Sequence, residues 1–189
     1  MSERSQSTMI TINTNRLAIR NFKASDWEDL YALIIAYEAS EFAQYDHAWP
    51  STVEELKAIA AWFAQGDQFL VVCLKVSGHM IGFVGLTPET LEDLPVYNLG
   101  YIFSEAYHGQ GYASEACCAV LSYAFEQLHA HSVVTGTAAI NHASCRLLER
   151  LGFQKAGEQI TSLRAALDGN PIRFLGYSYA IFSPEQRSL

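Results

Sequence analysis

Positive charge is scarce in this chain: 12 lysines and arginines stand against 20 aspartates and glutamates, for a formal charge of −8. Proteins that hold nucleic acid through its phosphates present a basic face, so this balance argues against a nucleic-acid partner and leaves cationic partners open. Cysteines are few and not patterned. Cys73, Cys117, Cys118 and Cys145 have neither metal nor disulfide spacing, and the adjacent Cys117 and Cys118 diverge by about 100° on a helix. They read as reduced thiols, with no metal, in a reducing compartment such as the cytoplasm. No run reaches the roughly 18 apolar residues of a membrane span, and residues 1–10 are too polar for a signal peptide. A phosphate-binding run of the form Gly-x-x-x-x-Gly-Lys-Ser/Thr is missing, as is any repeat or linker. P-loop nucleotidases and multidomain arrays are therefore excluded.

What the chain does have is a globular composition: half of its 189 residues are hydrophobic and 17% are charged. That size and mix suit one domain, over 10–183, between polar tails at 1–9 and 184–189. Ile10 and Ile12, then Leu17 and Ile19, mark a first strand, with a turn near 13–15. A helix follows with Ser25 as N-cap and Leu30, Leu33, Ile34 and Tyr37 on one face. A second starts after Pro50, capped by Ser51 or Thr52, with Val53, Leu56, Ile59, Ala60 and Phe63 inward. Strands at 68–76 and 80–86 flank a turn at Ser77 and Gly78, and Asp93 and Pro95 mark a loop. A strand at 97–104 leads into a glycine-containing loop. A long amphipathic helix from Ala113 to Leu128, a strand at 133–140 and a short helix at 143–151 ended by Gly152 come next. Two strands around a turn at Asp168, Gly169 and Asn170 complete the domain. This order predicts an α/β (α+β) fold with helices on the faces of one sheet.

The loop carries the chemistry. Ser104 leads through Glu105, Ala106 and Tyr107 to Gly109-Gln110-Gly111, and a helix follows at once. Glycines let backbone N–H groups approach a phosphate, and a helix start offers unpaired donors with partial positive charge. A dinucleotide fold would want a third glycine at Ser114.

Several blocks in order, from about Thr11 to Phe182, resemble the GNAT superfamily of N-acetyltransferases. The segment His108-Gly109-Gln110-Gly111-Tyr112-Ala113 is similar to its diphosphate loop, although His108 departs from the usual first residue. Asn141-His142-Ala143-Ser144 and Leu147-Leu148-Glu149-Arg150-Leu151-Gly152-Phe153 resemble its second signature. The stretch 14–20 and Tyr97-Asn98-Leu99-Gly100-Tyr101 look like the RimJ/RimL-like branch, which acetylates ribosomal-protein N-termini. The resemblance implies a single GNAT-like domain: a mixed, mostly antiparallel sheet of six to seven strands, splayed between its fourth and fifth, with about four helices.

It further implies acetyl-CoA as cofactor, its arm lying in the splay like an added strand. Ile102, Phe103, Ser104, residues 108–113, Asn141 and Ser144 would hold it. A main-chain N–H at Tyr101 or Ile102 would meet the oxyanion. Many relatives place a tyrosine donor where this chain has Leu148, so Ser144 would serve the leaving thiolate. The usual glutamate base is Asn98 here, which leaves Glu41, Asp46, His47 or a water chain. Phe42, Tyr45, Trp49 and Phe83 could line the acceptor pocket. The acceptor is an amine, on a protein N-terminus or on a small molecule such as a polyamine. A non-catalytic acyl-CoA-binding protein is the competing function, a nucleotide-binding oxidoreductase is another, and a homodimer is allowed.

Overall fold

The computed structural model describes residues 9–91, 94–184 and 186. The expected tails, apart from Met9, Pro184 and Gln186, and the turn residue Asp93 lie outside the described residues. In chain order the elements are β1 (Thr11–Asn13), β2 (Leu17–Asn21), α1 (Trp27–Glu38), α2 (Val53–Phe63), β3 (Phe69–Leu74), β4 (Met80–Leu91), β5 (Leu94–Phe103), α3 (Tyr112–Glu126), β6 (Ser132–Ala138), α4 (His142–Arg150), β7 (Gln154–Thr161) and β8 (Phe174–Phe182). The strands form one sheet in the order β1-β2-β3-β4-β5-β6-β8-β7. Every neighbouring pair is antiparallel except β5 and β6.

Eight strands exceed the expected six or seven because the opening segment is a hairpin. The Thr14 amide donates to Leu17 O at 3.0 Å and the Leu17 amide donates to Thr14 Oγ1 at 2.9 Å, which folds the chain back on itself. Thr52 caps α2 as its sequence position suggests, its hydroxyl accepting from the Glu55 amide. Ser25 does not cap α1. It sits in a short turn over Ala24–Asp26, where the Asp26 carboxylate accepts the Lys23 amide at 2.7 Å and pairs with Arg20 at 2.7 Å. A charged acceptor next to a guanidinium outcompetes a hydroxyl for that place.

Pro95 also departs from expectation, lying inside β5 opposite Thr90 rather than in a loop. Its carbonyl faces β6, where it accepts from the His131 amide at 2.8 Å. Its nitrogen faces the same side, so the missing N–H costs the β4 ladder nothing.

Two apolar layers sandwich the sheet. Leu17, Ile19, Leu70, Leu99, Val120 and Leu148 belong to the layer under α3 and α4, and Leu30, Ile34, Leu56, Phe63 and Val71 to the one under α1 and α2. Each fully buried Leu or Ile contributes about 1.5–3 kcal/mol. Odd and even positions of β5 feed opposite layers, Leu99 one and Ile102 the other. β5 is thereby fixed in register, and its end is where the site forms.

Candidate active site

Parallel pairing between β5 and β6 stops after three residue pairs, the last being Asn98 with Val134. Beyond it the Thr135 hydroxyl reaches across to Leu99 O at 2.7 Å, and then the strands part. Alternation along a strand decides which backbone groups face the opening. The Ser104 amide donates to Ile81 O on the β4 side, whereas the Pro95 and Leu99 carbonyls point to β6. Even-numbered residues of this stretch therefore belong to the β4 ladder, and odd-numbered ones face the gap. Tyr101 and Phe103 turn their main chains to the opening. Ile102 and Ser104 turn theirs to β4, so of the two main-chain donors expected for the oxyanion, Tyr101 is the one that faces the opening.

At the gap's end the loop 108–111 is braced from three sides. His108 Nε2–H donates to Phe103 O at 3.0 Å, so the residue that departs from the family pattern ties the loop to β5 by its side chain. Gln110 Nε2 donates to Ala106 O at 3.1 Å, and Arg16 donates to Gln110 O at 2.9 Å. The same Arg16 lies over the Tyr112 ring and pairs with Glu115 at 2.6 Å. Burial pushes the Glu115 carboxylate up, and hydrogen bonds from Thr14 and Arg16 outweigh it, holding the group below the usual range. Gly109 and Gly111 have φ of 72° and 80°. The first bond of α3 runs from the Glu115 amide to Gly111 O, so the amides of Tyr112, Ala113 and Ser114 have no acceptor within the helix. They border one side of a cleft of about 670 Å³, and Arg146 and Arg150 of α4 border it too. Neither arginine forms an ion pair among the described residues. Glycine-flanked amides, a helix start and two guanidinium groups suit a diphosphate, and open main chain at Tyr101 suits an amide-bearing arm.

A second cleft, of about 680 Å³, lies between the α1–α2 connection and the β7–β8 hairpin. Its floor is main chain and small side chains: Gly100, Gly136, Ala138, Gly157 and Gly176. Gly100 is exposed in the middle of a central strand, with open space where a Cβ would be. Phe42 and Tyr45 line this cleft, but Trp49 and Phe83 do not. Those two pack edge to face at 5.9 Å in the layer under α1 and α2. Asp46 and Glu158 are its charged lining groups. Of the candidate bases, Asp46 faces the second cleft, Glu41 faces the first and His47 borders neither. Asp46 Oδ2 accepts the Tyr37 hydroxyl at 2.9 Å. Burial, then the Asp46 charge, push the Tyr37 phenol up, so it stays a donor. Arg164 holds this wall in place by donating to both Glu38 carboxylate oxygens and to the Asp46 and His47 carbonyls.

Tyr37, Phe42, Tyr101, Asn141 and Ser144 border both clefts, which meet there. Asn141 Oδ1 caps α4 by accepting the Ser144 amide at 3.1 Å, so the Ser144 hydroxyl is not spent on capping. It lies 2.8 Å from the Tyr101 hydroxyl. Sequence reasoning brought Tyr101 in for its amide and missed its phenol. Odd-numbered β5 side chains face the α4 layer, and that periodicity was the available signal. His131 packs on Phe182, and no group of three or more metal-ligating side chains occurs among the described residues.

The sequence profile of the Acetyltransferase (GNAT) domain matches residues 16–154. YnaD of Bacillus subtilis, an uncharacterized N-acetyltransferase, is 29% identical over 154 residues, 77% of this chain and 84% of that protein. Ribosomal-protein-S5-alanine acetyltransferase of Vibrio fischeri superposes with a TM-score of 0.77 at 18% identity, over 93% of this chain and 98% of that one. Spermidine N-acetyltransferase of Vibrio cholerae, solved with CoA and spermine, superposes with a TM-score of 0.74 at 17% identity, over 90% and 97%. At such identities the two superpositions show a shared fold.

Proposed function

The chain belongs to the GNAT family of N-acetyltransferases, and on that premise we propose that it uses acetyl-CoA and passes the acetyl group directly to a cationic primary amine. The observation that carries this is the meeting of a phosphate-suited cleft and an acidic, aromatic cleft at Ser144. When bound, acetyl-CoA supplies an activated thioester. The Tyr101 amide, turned to the gap, donates to the negative charge that develops on the acyl oxygen. Asp46 attracts the acceptor's ammonium and takes up its proton, directly or through water. Ser144 donates its hydroxyl hydrogen bond to the charge left on sulfur as the carbon–sulfur bond breaks. The amides and guanidinium groups around 108–114, 146 and 150 orient the donor without taking part in bond changes.

Among the described residues no lysine or arginine lines the second cleft, which disfavours acidic acceptors. A protein N-terminus, as in the RimJ/RimL-like branch, fits the open glycine floor, and a polyamine satisfies the same charge pattern. Four unpaired thiols suit the reducing cytoplasm. Release of free CoA thiol, measured with a panel of peptides and small amines, tests the assignment. We expect turnover with neutral or basic peptide N-termini or with polyamines, and about tenfold less or lower with acidic acceptors. Release with none of them would leave a non-catalytic acyl-CoA binder.

A further inference from the structure

Tyr101 and Ser144 are 43 residues apart in the chain, yet their hydroxyl oxygens lie 2.8 Å apart where the two clefts meet. The Tyr101 ring packs in the apolar layer under α3 and α4. Among the described residues its phenol has Ser144 as its hydrogen-bond partner. Burial pushes that phenol up, and the Ser144 bond only partly opposes the shift, so the group stays protonated at working pH. A buried O–H left without an acceptor costs about 1–3 kcal/mol. Ser144 borders both clefts and can donate into either. Tyr101 borders both clefts as well, and either oxygen can be the donor; with the phenol hydrogen given to Ser144 Oγ, the serine hydrogen is free to turn into the cleft.

We infer that Tyr101 is a positioning residue that donates its phenol hydrogen to Ser144 Oγ and so directs the Ser144 hydroxyl hydrogen into the cleft, toward the departing sulfur. This rests on the role proposed for Ser144. The electron pair of the breaking carbon–sulfur bond goes to sulfur, and the Ser144 O–H stabilises it there. The nitrogen sheds two protons, one before attack and one as the tetrahedral intermediate collapses, and both leave through the base and water to solvent, so neither hydroxyl is consumed. The phenol thus comes from β5, where many relatives would supply one from the position of Leu148.

The test is the titration of bound CoA, followed by the ultraviolet absorbance of its thiolate, alongside turnover. In the wild-type protein the bound thiol should titrate about one unit below the value of CoA free in solution. Ser144→Ala should abolish that shift, and Tyr101→Phe should abolish most of it. Tyr101→Phe should also lower kcat about tenfold, with the KM for acetyl-CoA and the CoA-induced rise in Tm unchanged. In the Ser144→Ala background, Tyr101→Phe should have no further effect on either readout. A wild-type titration in Tyr101→Phe, or an undiminished loss from it in the Ser144→Ala background, overturns the inference. A wild-type titration in Ser144→Ala overturns it together with the role of Ser144. Failure of CoA to stabilise the wild-type protein at all would instead strike the cofactor assignment.

Discussion

Gly111 sits at the N-terminus of α3 with φ 80°, and a Cβ there would come 3.3 Å from an Arg16 guanidinium nitrogen. Both the backbone conformation and the Arg16 brace restrict it to glycine, in addition to any crowding of phosphates. A left-handed conformation costs a β-carbon residue about 1–2 kcal/mol. Gly111→Val should therefore lose about that much stability and, beyond it, lose stabilisation by CoA. Gly169, with φ 82° and open space around it, lies in the β7–β8 connection and serves as the control. Gly169→Ala should have the backbone cost and keep the CoA response, as read by thermal unfolding with and without ligand. If both variants respond to CoA alike, the loop is not the diphosphate site. The loop was legible because its signal is local: two glycines, then a helix start. The Arg16–Glu115 brace was not, since it joins the β1–β2 turn to α3 across 99 residues.

Among the elements, the wall of the second cleft depends on a clasp between α1 and the β7–β8 connection. Arg164 and Glu38 are 2.7 Å apart with side-chain exposures of 17% and 20%. The Arg164 hydrogen bonds hold the Glu38 carboxyl below its usual range, against the opposing effect of burial. A carboxylate depressed in the folded state stabilises the protein above its unfolded pKa of about 4.3, and that contribution is lost as pH falls through the folded value. Arg164→Met should thus cost about 1–3 kcal/mol near neutral pH. The deficit should shrink as pH drops below about 4.3. The same variant should raise the KM for the acceptor while leaving that for acetyl-CoA alone. Denaturant unfolding at several pH values checks the first part, and a deficit that does not vary with pH would contradict it. Helices α2 and α3 were readable from spacing because an amphipathic stripe is written within ten to fifteen residues or so. The clasp was not, because two residues 126 positions apart meet only once the sheet has formed. Pro95 misled for the opposite reason: a loop signal in sequence is harmless where a strand's N–H faces away from its partner.

At the scale of the molecule, the sheet order and the parting of β5 from β6 follow from where each strand's apolar residues must go. Strand alternation puts Tyr101 and Phe103 at the gap, and the second cleft opens over residues of β6, β8 and β7. The broad α/β architecture was visible in the order of the blocks, and so was the splay, which the extra strand moves from the expected fourth and fifth strands to β5 and β6. The extra strand was not, because a two-strand hairpin and one interrupted strand share a hydrophobic pattern. The excess of negative charge would not hinder a phosphate ligand in the proposed site, where the donors would be backbone amides beside Arg146 and Arg150. The central claim, that the cleft around 108–114 is built for a CoA thioester, is most directly tested by thermal unfolding in the presence of acetyl-CoA, CoA or NAD. A ligand at a hundred times its Kd adds about 2.7 kcal/mol to the native state. Acetyl-CoA and CoA should both raise Tm by several degrees, and NAD should leave it unchanged. No rise with either CoA species at saturating concentration, or a rise with NAD alone, would contradict it.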